Sequence, residues 1–400
     1  MINTELLRPD FPFFQKHPDA IFLDSACMSL RPQIVIDEIN RYYQDYGVCA
    51  GRSHYRLSEE LNKEILLARQ KVGQFIGTAK YNQIVFSKNT TESINLVAYS
   101  FPWQKGDIVL CSDKEHNSNL LPWQMLVEKH GVELKIISSN SEGTLDLVEL
   151  EQMISPQVKM LAVSGGSNLD GTHNDLAQIS QIIKPHHIFF LVDGAQLIPH
   201  QKIQVEKLGI DALAFSSHKM LGPQLGVLYL SENLSQKLQA FLRGGSTVAW
   251  SHYDKAEFLK TPACFEAGLQ DYAGIMGLAK AIEYLEKIGL EEIQNHEIKL
   301  NTQLSEGLAR IGHFHILGPQ SPISRHGICS LVSDKLSAHQ IALMLDDLGN
   351  IMVRSGQHCV HSWFHHYQVE GSARVSFYLY NNSQEIDNLL EKLQQISKLI

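Results

Sequence analysis

The sequence has no long apolar run. Its longest apolar stretches, such as IFFLV at residues 188–192, are far shorter than the roughly 20 residues with which a helix crosses a bilayer. We therefore expect no membrane partner. The first residues, MINTELLRPDFPFF, contain no continuous apolar segment of the kind found in secretory signals. This predicts a cytoplasmic protein.

The sequence also lacks the cysteine spacing of a disulfide framework. Its six cysteines are scattered over 400 residues without a Cys-x-x-Cys pair, which is typical of reduced thiols. It has no long basic run either, and 43 acidic residues outnumber 34 basic ones for a net charge of −9. This balance argues against a nucleic-acid partner.

What the sequence does contain is an alternation of short apolar runs with longer amphipathic ones. The strand-like runs lie at residues 83–87, 107–112, 133–139, 159–165, 188–194, 211–217 and 226–231. The amphipathic segment after the first run predicts a helix with Thr90 or Thr91 as its N-cap. This interleaving predicts an α/β fold, with a mostly parallel seven-stranded sheet covered on both faces by helices.

The rhythm changes after about residue 242, where two long helical segments follow each other. Beyond them, ICSLVS, NIMVRS and ARVSFYL are strand-like, and the chain ends in a helical segment. We therefore predict a large domain at residues 20–255. Residues 1–19 and 256–400 are predicted to form a smaller α+β domain.

Residues capable of chemistry follow several of the predicted strands. Asp193 ends one apolar run, Lys219 follows another, and His116 lies at a strand-to-helix junction. Ligands collect at the carboxyl ends of strands in open α/β sheets, and a charge buried there without a partner is costly. Taken singly, Asp193 could be a helix cap or part of a core salt bridge, and a lone histidine such as His116 is usually a cap or a satisfied core residue. Their coincidence with Lys219 favours a site.

Together these residues supply what a pyridoxal phosphate enzyme requires. A desolvated lysine amine forms a Schiff base with an aldehyde, and a carboxylate pairs with the pyridine nitrogen. Hydroxyl groups and free N–H groups at a helix start bind phosphate. Thr90 and Thr91 in NTTE, and Ser216 and His218 beside Lys219, are the predicted phosphate ligands. A plain capping box explains NTTE equally well.

The chain resembles a class V, fold-type I pyridoxal phosphate enzyme, and specifically a group II cysteine desulfurase of the SUF/CSD type. The matching pieces, in the family's order, are IFLDSA, FSKNTTESINLVA, EHNSNLLPWQ, SNLDGT, LVDGAQ, FSSHKMLGPQLGVLYL, FEAG, VRSGQHC and ARVSFYLYNN. The resemblance implies a homodimer that converts L-cysteine to L-alanine. It also implies a persulfide on Cys359, whose sulfur passes to an acceptor protein for iron–sulfur cluster assembly.

The resemblance implies a role in cofactor binding for residues at several strand ends. Lys219 would carry the cofactor as the Schiff-base lysine, and Asp193 would pair with the pyridine nitrogen. Gln196 would lie near the phenolic oxygen, and His116 would stack on the ring and act as a catalytic residue with Lys219 and Cys359. The implied phosphate ligands are Thr90, Thr91, Ser216 and His218.

For the substrate, the resemblance implies three further residues. Asn168 would lie near the amino acid, and Arg374 would bind its carboxylate with a bidentate guanidinium. Cys359, in the loop VRSGQHCVHSWFHH of the smaller domain, would be the nucleophile that accepts sulfur. Because a thiolate benefits from a nearby cation or imidazole, Arg354 and His358 are candidates to assist it.

Other interpretations of this loop and of the whole chain remain open. The loop could bind zinc, although no metal is expected, or it could be a solvated segment with an inert thiol. The zinc candidates are His358, Cys359, His361, His365 and His366. The protein could instead be a selenocysteine lyase acting on L-selenocysteine, or another class V lyase or epimerase. It could also be a degenerate, non-catalytic partner with the same fold.

The sequence departs from the family pattern at several positions. Leu269 follows FEAG where relatives carry a threonine that reaches the other subunit's phosphate, so that contact is expected to be lost. The segment GRSHYRLS retains Arg52 and Ser53. The remaining departures are Cys27 and Met28 after LDSA, Tyr55 in GRSHYRLS, and Gly165 and Gly166 in SGGSN. Their effect on the substrate does not follow from the sequence.

The first prediction concerns Lys219. If this lysine binds pyridoxal phosphate as a Schiff base, the purified protein should be yellow, because the conjugated cofactor absorbs visible light. The variant Lys219→Ala should lose this absorbance band. A colourless protein that cannot be reconstituted with the cofactor would contradict the prediction.

Overall fold

The structure is a computed structural model that describes residues 2–51 and 53–400, so Arg52 lies outside the described residues. The strands are β1 (Ile21–Phe22), β2 (Ile84–Ser87), β3 (Ile108–Ser112), β4 (Glu133–Ile137), β5 (Val158–Ser164), β6 (Phe189–Asp193), β7 (Ala212–Ser216), β8 (Gly226–Leu230), β9 (Val248–Ser251), β10 (Ala256–Phe258), β11 (Phe314–Leu317), β12 (Ile328–Ser333), β13 (Ile351–Met352), β14 (Arg354–Gly356) and β15 (Ser372–Ser376). The α-helices are α1 (Thr4–Leu7), α2 (Pro12–Lys16), α3 (Gln33–Arg41), α4 (Arg56–Ile76), α5 (Thr90–Ser100), α6 (Leu121–His130), α7 (Leu147–Met153), α8 (Leu176–Ile183), α9 (Glu232–Ser235), α10 (Tyr272–Ile288), α11 (Leu290–Leu308), α12 (Ala338–Gly349), α13 (His361–His366) and α14 (Ser383–Ser397).

The seven strands β2 to β8 form one sheet, in the order β2-β8-β7-β6-β5-β3-β4. The five strands β7, β6, β5, β3 and β4 are each parallel to their neighbours in this group. Strand β8 runs antiparallel to both β7 and β2. Side chains alternate between the two faces of the sheet: Leu161 and Val163 pack in one core, Met160 and Ala162 in the other. The predicted α/β fold with a mostly parallel seven-stranded sheet is confirmed.

A second sheet lies later in the chain. Its four strands are antiparallel, in the order β11-β12-β15-β14, and a separate core that includes Leu300, Leu345 and Leu389 joins it to α11, α12 and α14. The strand expected in NIMVRS is divided, because β13 pairs with β1 while β14 joins the second sheet. The domain boundaries at residues 20 and 255 stay a prediction. Across the described chain, no helix is both long enough and apolar enough to cross a membrane.

The N-cap of helix α5 lies one or two residues earlier than the sequence predicts. Its N-cap is Asn89, whose side-chain oxygen accepts a hydrogen bond from the backbone N–H of Glu92 at 2.9 Å. The predicted N-cap at Thr90 or Thr91 is therefore wrong. An asparagine caps a helix as well as a threonine does, and capping by Asn89 leaves the Thr90 hydroxyl free to bond Ser216 at 2.6 Å.

A buried ion pair ties α4 to the edge of the main sheet. The Arg69 guanidinium donates to both carboxylate oxygens of Glu266, at 2.6 and 2.9 Å. Glu266 also accepts the backbone N–H of Phe86 in β2 at 2.7 Å. The two side chains are only 10% and 9% exposed, so neither charge has much access to water.

This arrangement predicts a large loss of stability in Glu266→Ala. Removing one partner of a buried pair leaves the other charge unpaired, which typically costs about 3 kcal/mol or more. The free energy of unfolding should be measured by urea denaturation. The matched control is Glu232→Ala, because Glu232 and Lys80 form an exposed pair at 3.8 Å, whose removal should cost less than about 1 kcal/mol. Equal losses in both variants would contradict the prediction.

Candidate active site

A cavity of about 240 Å³ lies at the carboxyl edge of the main sheet. Its wall comes from the ends of β5, β6 and β7, the start of α5, and residues 354–359. All the residues predicted for the site line this cavity: Thr90, Thr91, His116, Asn168, Asp193, Gln196, Ser216, His218, Lys219, Cys359 and Arg374. The fold thus brings together residues that are widely separated in the sequence.

Asp193 and Lys219 place opposite charges in this cavity. Asp193 is the last residue of β6 and accepts the backbone N–H of Ala195 at 2.9 Å. Burial raises the pKa of Asp193, while that N–H group and the charge of Lys219 oppose the rise. Lys219 ends the 3₁₀ turn Ser217–Lys219 after β7. Burial lowers the pKa of its amine and Asp193 acts against this, so the neutral amine is more accessible than in an ordinary lysine.

One side of the cavity is rich in hydrogen-bond donors. The Ser216 hydroxyl lies 2.6 Å from the Thr90 hydroxyl and accepts the backbone N–H of Thr90 at 2.9 Å. The Thr91 hydroxyl lies 2.7 Å from that of Ser118. Burial and then the charge of Lys219 lower the pKa of His218 to about 4. Hydroxyl groups around the start of a helix favour an anion such as phosphate.

His116 lies at the turn after β3. Its Nδ1 atom accepts the backbone N–H of Ser118 at 3.0 Å, so the ring caps the 3₁₀ turn Asn117–Asn119 as well as lining the cavity. Burial, followed by the charges of Lys219 and Arg374, lowers the pKa of His116 to about 3. The ring is therefore neutral near pH 7.

Arg374 and Asn168 form another part of the wall. Arg374, in β15, donates from Nη1 to the carbonyl oxygen of Asn168 at 2.9 Å, and its Nη2 atom lies 3.4 Å from an Asp24 carboxylate oxygen. Burial lowers the pKa of Arg374. Asn168 in turn donates from its side chain to the carbonyl oxygen of His358 at 2.7 Å, so the guanidinium and the Cys359 loop share one support.

The Cys359 loop adopts an uncommon backbone conformation. His358 and Cys359 have φ angles of 50° and 62°, a region that non-glycine residues occupy rarely. The carbonyl oxygen of Cys359 accepts the backbone N–H of Asn117 at 2.7 Å. The His358 ring bonds Ser372, and burial lowers the pKa of this imidazole to about 3.

Within the described part of the chain, three buried side-chain atoms that lack a hydrogen-bond partner belong to the cavity wall. These atoms are Gln196 Oε1, His358 Nδ1 and Arg374 Nε. Leaving such atoms unpaired costs free energy, so the wall suits a polar ligand. The available groups are a carboxylate, a lysine amine, hydroxyl donors, and unpaired amide and guanidinium atoms. They fit pyridoxal phosphate together with an amino acid.

The sequence reasoning gave too little weight to two features of the cavity region. Arg354 donates from Nη1 to Cys27 Sγ at 2.8 Å, and both residues line the cavity. Glu115 was missed entirely: it accepts hydrogen bonds from the Asn119 side chain and from the backbone N–H of Ser164. Burial raises its pKa to about 8. The polar run DKEH directly after β3 was the available signal for Glu115.

The departures from the family pattern fall into two groups. Gly166 lines the cavity, and a Cβ atom there would lie 2.7 Å from the carbonyl oxygen of Gln196, so a side chain would force this wall to move. Cys27 also lines the cavity. Leu269 and Tyr55 lie outside it and are 68% and 50% exposed.

No metal cluster is present among residues 2–51 and 53–400, because no three histidine, cysteine, aspartate or glutamate side chains are suitably grouped. Two of the candidate zinc ligands have other partners. His358 bonds Ser372, and His361 Nδ1 lies 2.9 Å from the side-chain nitrogen of Asn117.

The fold and the cavity define a class of pyridoxal phosphate enzymes. The family described as aminotransferase class-V matches residues 21–389, and the chain belongs to this family. Among curated relatives, a probable cysteine desulfurase of Pyrococcus abyssi is 35% identical over 398 residues, which cover 98% of each chain.

Solved structures that are similar to this chain are also cysteine desulfurases. The apo cysteine desulfurase of Thermococcus onnurineus is 35% identical with a TM-score of 0.95, over 100% of this chain and 99% of that one. The cysteine desulfurase CsdA of Escherichia coli, in an S-sulfonic acid form, is 29% identical with a TM-score of 0.92 over the whole of both chains. The resemblance to group II cysteine desulfurases, the fold-type I architecture and the pyridoxal phosphate cofactor are thereby confirmed.

The buried His358 predicts a specific dependence of stability on pH. Its folded-state pKa of about 3 lies below the ordinary value of about 6.5. Between these values the unfolded chain binds a proton that the folded protein does not, so this residue lowers the free energy of unfolding as pH falls through that window. Replacing His358 by glutamine should therefore make the pH dependence shallower.

Urea denaturation at a series of pH values tests this prediction. The control variant is His54→Gln, whose side chain is 98% exposed, and its slope should match that of the wild type. An unchanged slope in His358→Gln would contradict the prediction, whatever the absolute stability of the variant.

Proposed function

We propose that this protein is a pyridoxal phosphate-dependent cysteine desulfurase. It removes sulfur from L-cysteine, releases L-alanine and holds the sulfur as a persulfide on Cys359. The observation that carries this proposal is that Lys219 and Cys359 line one cavity. An amine able to bind the cofactor and a thiol able to accept sulfur thus face the same ligand space.

The residues around the cavity would hold the cofactor at each of its polar groups. When bound, pyridoxal phosphate accepts the electron pair left by removal of the substrate's α-proton. Lys219 would attach it covalently, Asp193 would pair with the pyridine nitrogen, and the Gln196 side chain, which lines the cavity, would lie near the phenolic oxygen. His116, neutral near pH 7, would pack on the ring. The phosphate ligands would be Thr90, Thr91, Ser216 and His218.

Three residues prepare the substrate. Arg374 binds the carboxylate of cysteine, because its Nε atom is buried without a partner and a guanidinium matches the geometry of a carboxylate. Asn168, whose backbone and side chain bond Arg374 and His358, fixes this guanidinium relative to the Cys359 loop. The Lys219 amine removes the α-proton, since its lowered pKa favours the neutral form that acts as a base.

Cys359 then takes the sulfur. Its thiolate attacks the sulfur atom of the substrate, a new sulfur–sulfur bond forms, and the carbon–sulfur bond of the substrate breaks. The electron pair of that bond stays with the carbon, which takes up a proton to become the methyl group of alanine, and the α-carbon also regains a proton. The sulfur remains on Cys359 as a persulfide until an acceptor thiolate attacks it.

The proposal extends to the assembly and the setting of the enzyme. A two-fold homodimer is the commonest closed assembly, and Phe241, Leu242 and Leu269 expose apolar surface around one pocket. All six cysteines are free, which fits a reducing compartment such as the cytoplasm. There an acceptor protein would take the sulfur for iron–sulfur cluster assembly. No observation favours L-selenocysteine as the substrate over L-cysteine.

The variant Cys359→Ser tests this function. It should still bind the cofactor and L-cysteine, because Lys219 and Asp193 are unchanged. Alanine release should nevertheless fall by a factor on the order of 100 or more, since a neutral hydroxyl is a far poorer nucleophile than a thiolate. Alanine assay together with the cofactor absorbance separates loss of chemistry from loss of binding.

The same experiment distinguishes the competing functions. A lyase or epimerase performs its chemistry on the cofactor, so it would retain most of its activity in Cys359→Ser. In the wild type, L-cysteine should add about 32 Da, one sulfur atom, to the Cys359 peptide in mass spectrometry. Alanine accumulation without this label would contradict the role of Cys359.

A further inference from the structure

A second thiol lines the active-site cavity. Cys27 lies in the turn after β1, where its backbone N–H donates to the carbonyl oxygen of Asp24 at 3.1 Å. Its side chain is partly exposed, and Arg354 donates to its sulfur at 2.8 Å. Cys27 and Cys359 therefore share the same ligand space.

Two arginines lie among the surroundings of Cys27. Arg354 donates to its sulfur, and Arg374 lines the same cavity. Reactive cysteines typically occupy electropositive, partly exposed surroundings. Cys27, which is partly exposed and accepts a hydrogen bond from Arg354, lies in such surroundings.

A second arginine-bonded thiol, Cys329, differs from Cys27 in its access to the cavity. Cys329 also accepts a hydrogen bond from an arginine, Arg325, at 3.1 Å. However, Cys329 is completely buried and does not line the cavity. Of these two arginine-bonded thiols, Cys27 is the one that lines the same cavity as Cys359.

We propose that Cys27 is a second sulfur carrier, which receives sulfur from Cys359; this inference rests on the function proposed above. The Cys27 thiolate attacks the outer sulfur of the Cys359 persulfide. A sulfur–sulfur bond forms at Cys27, the one at Cys359 breaks, and its electron pair remains on Cys359, which leaves as a thiolate. One persulfide replaces another, so the step needs no oxidant or reductant.

This transfer frees Cys359 for a second turnover before any acceptor arrives. The holoenzyme, incubated with L-cysteine in the absence of an acceptor protein, should therefore hold about two sulfur atoms per protomer, one on each thiol. Alkylation followed by peptide mass spectrometry should locate them on the Cys27 and Cys359 peptides. A time course should show the label on Cys359 first.

The variant Cys27→Ser separates sulfur transport from a structural role. A serine hydroxyl still accepts the hydrogen bond from Arg354 but carries no sulfur, so this variant should hold about one sulfur atom per protomer, on Cys359. The control is Cys49→Ala, which removes an exposed thiol outside the cavity and should load as the wild type does. Loading of Cys27→Ser equal to that of the wild type would overturn the proposal.

The remaining outcomes separate this inference from the proposed function. Sulfur on Cys359 and none on Cys27 overturns the second carrier alone. Sulfur on Cys27 in the variant Cys359→Ser overturns the order of transfer. Absence of sulfur from both peptides overturns the proposed function, and this inference with it.

A further measurement does not depend on activity. Dibromobimane bridges two neighbouring thiols, so it should link the Cys27 and Cys359 peptides in the purified protein. The link should be absent in Cys27→Ser and present in Cys49→Ala. Single alkylation of both thiols without a link would show that they are too far apart for direct transfer, and would overturn the proposal.

Discussion

The active site depends on the burial of charged groups at the carboxyl edge of the main sheet. Desolvation shifts the pKa values of Asp193, Lys219 and Arg374 in the direction that favours their neutral forms. Hydrogen bonds and opposite charges in the surrounding structure reduce the free-energy cost of burying these groups. The N–H of Ala195 bonds Asp193, and Asn168 bonds Arg374. These contacts reduce the free-energy cost of burying charged groups at the strand ends.

The same constraint explains why much of this site could be predicted from the sequence. A buried strand in a parallel sheet is a continuous apolar run, so a charged residue at its end is conspicuous. Asp193 ends one such run and Lys219 follows another after a single 3₁₀ turn, and the ends of parallel neighbouring strands meet at one edge. The apolar runs predicted the seven strands of the sheet. Their order, and the antiparallel pairing of β8 with β7 and β2, became visible only in the structure.

What the sequence could not supply are contacts between residues far apart in the chain. Arg354 and Cys27 are separated by 327 positions, and Gln196 donates to the carbonyl oxygen of Ala26 across 170. No periodicity encodes such pairs. The family resemblance pointed to Cys359 as the thiol of the site. Cys27 stood out only as a departure from the family pattern after LDSA. The N-cap of α5 was missed for a local reason, because Asn89 and Thr90 are both good caps.

The left-handed backbone of the Cys359 loop must be held in place by other contacts. Two consecutive non-glycine residues at positive φ each cost about 1 kcal/mol or more. The hydrogen bonds from Asn168 and Asn117 to the loop carbonyls contribute a similar net amount, about 1 kcal/mol each. These two hydrogen bonds therefore offset much of the backbone strain, and the buried His358 ring adds a further bond to Ser372. The Cys359 loop thus keeps an otherwise unfavourable backbone conformation through contacts with residues that are distant in the sequence.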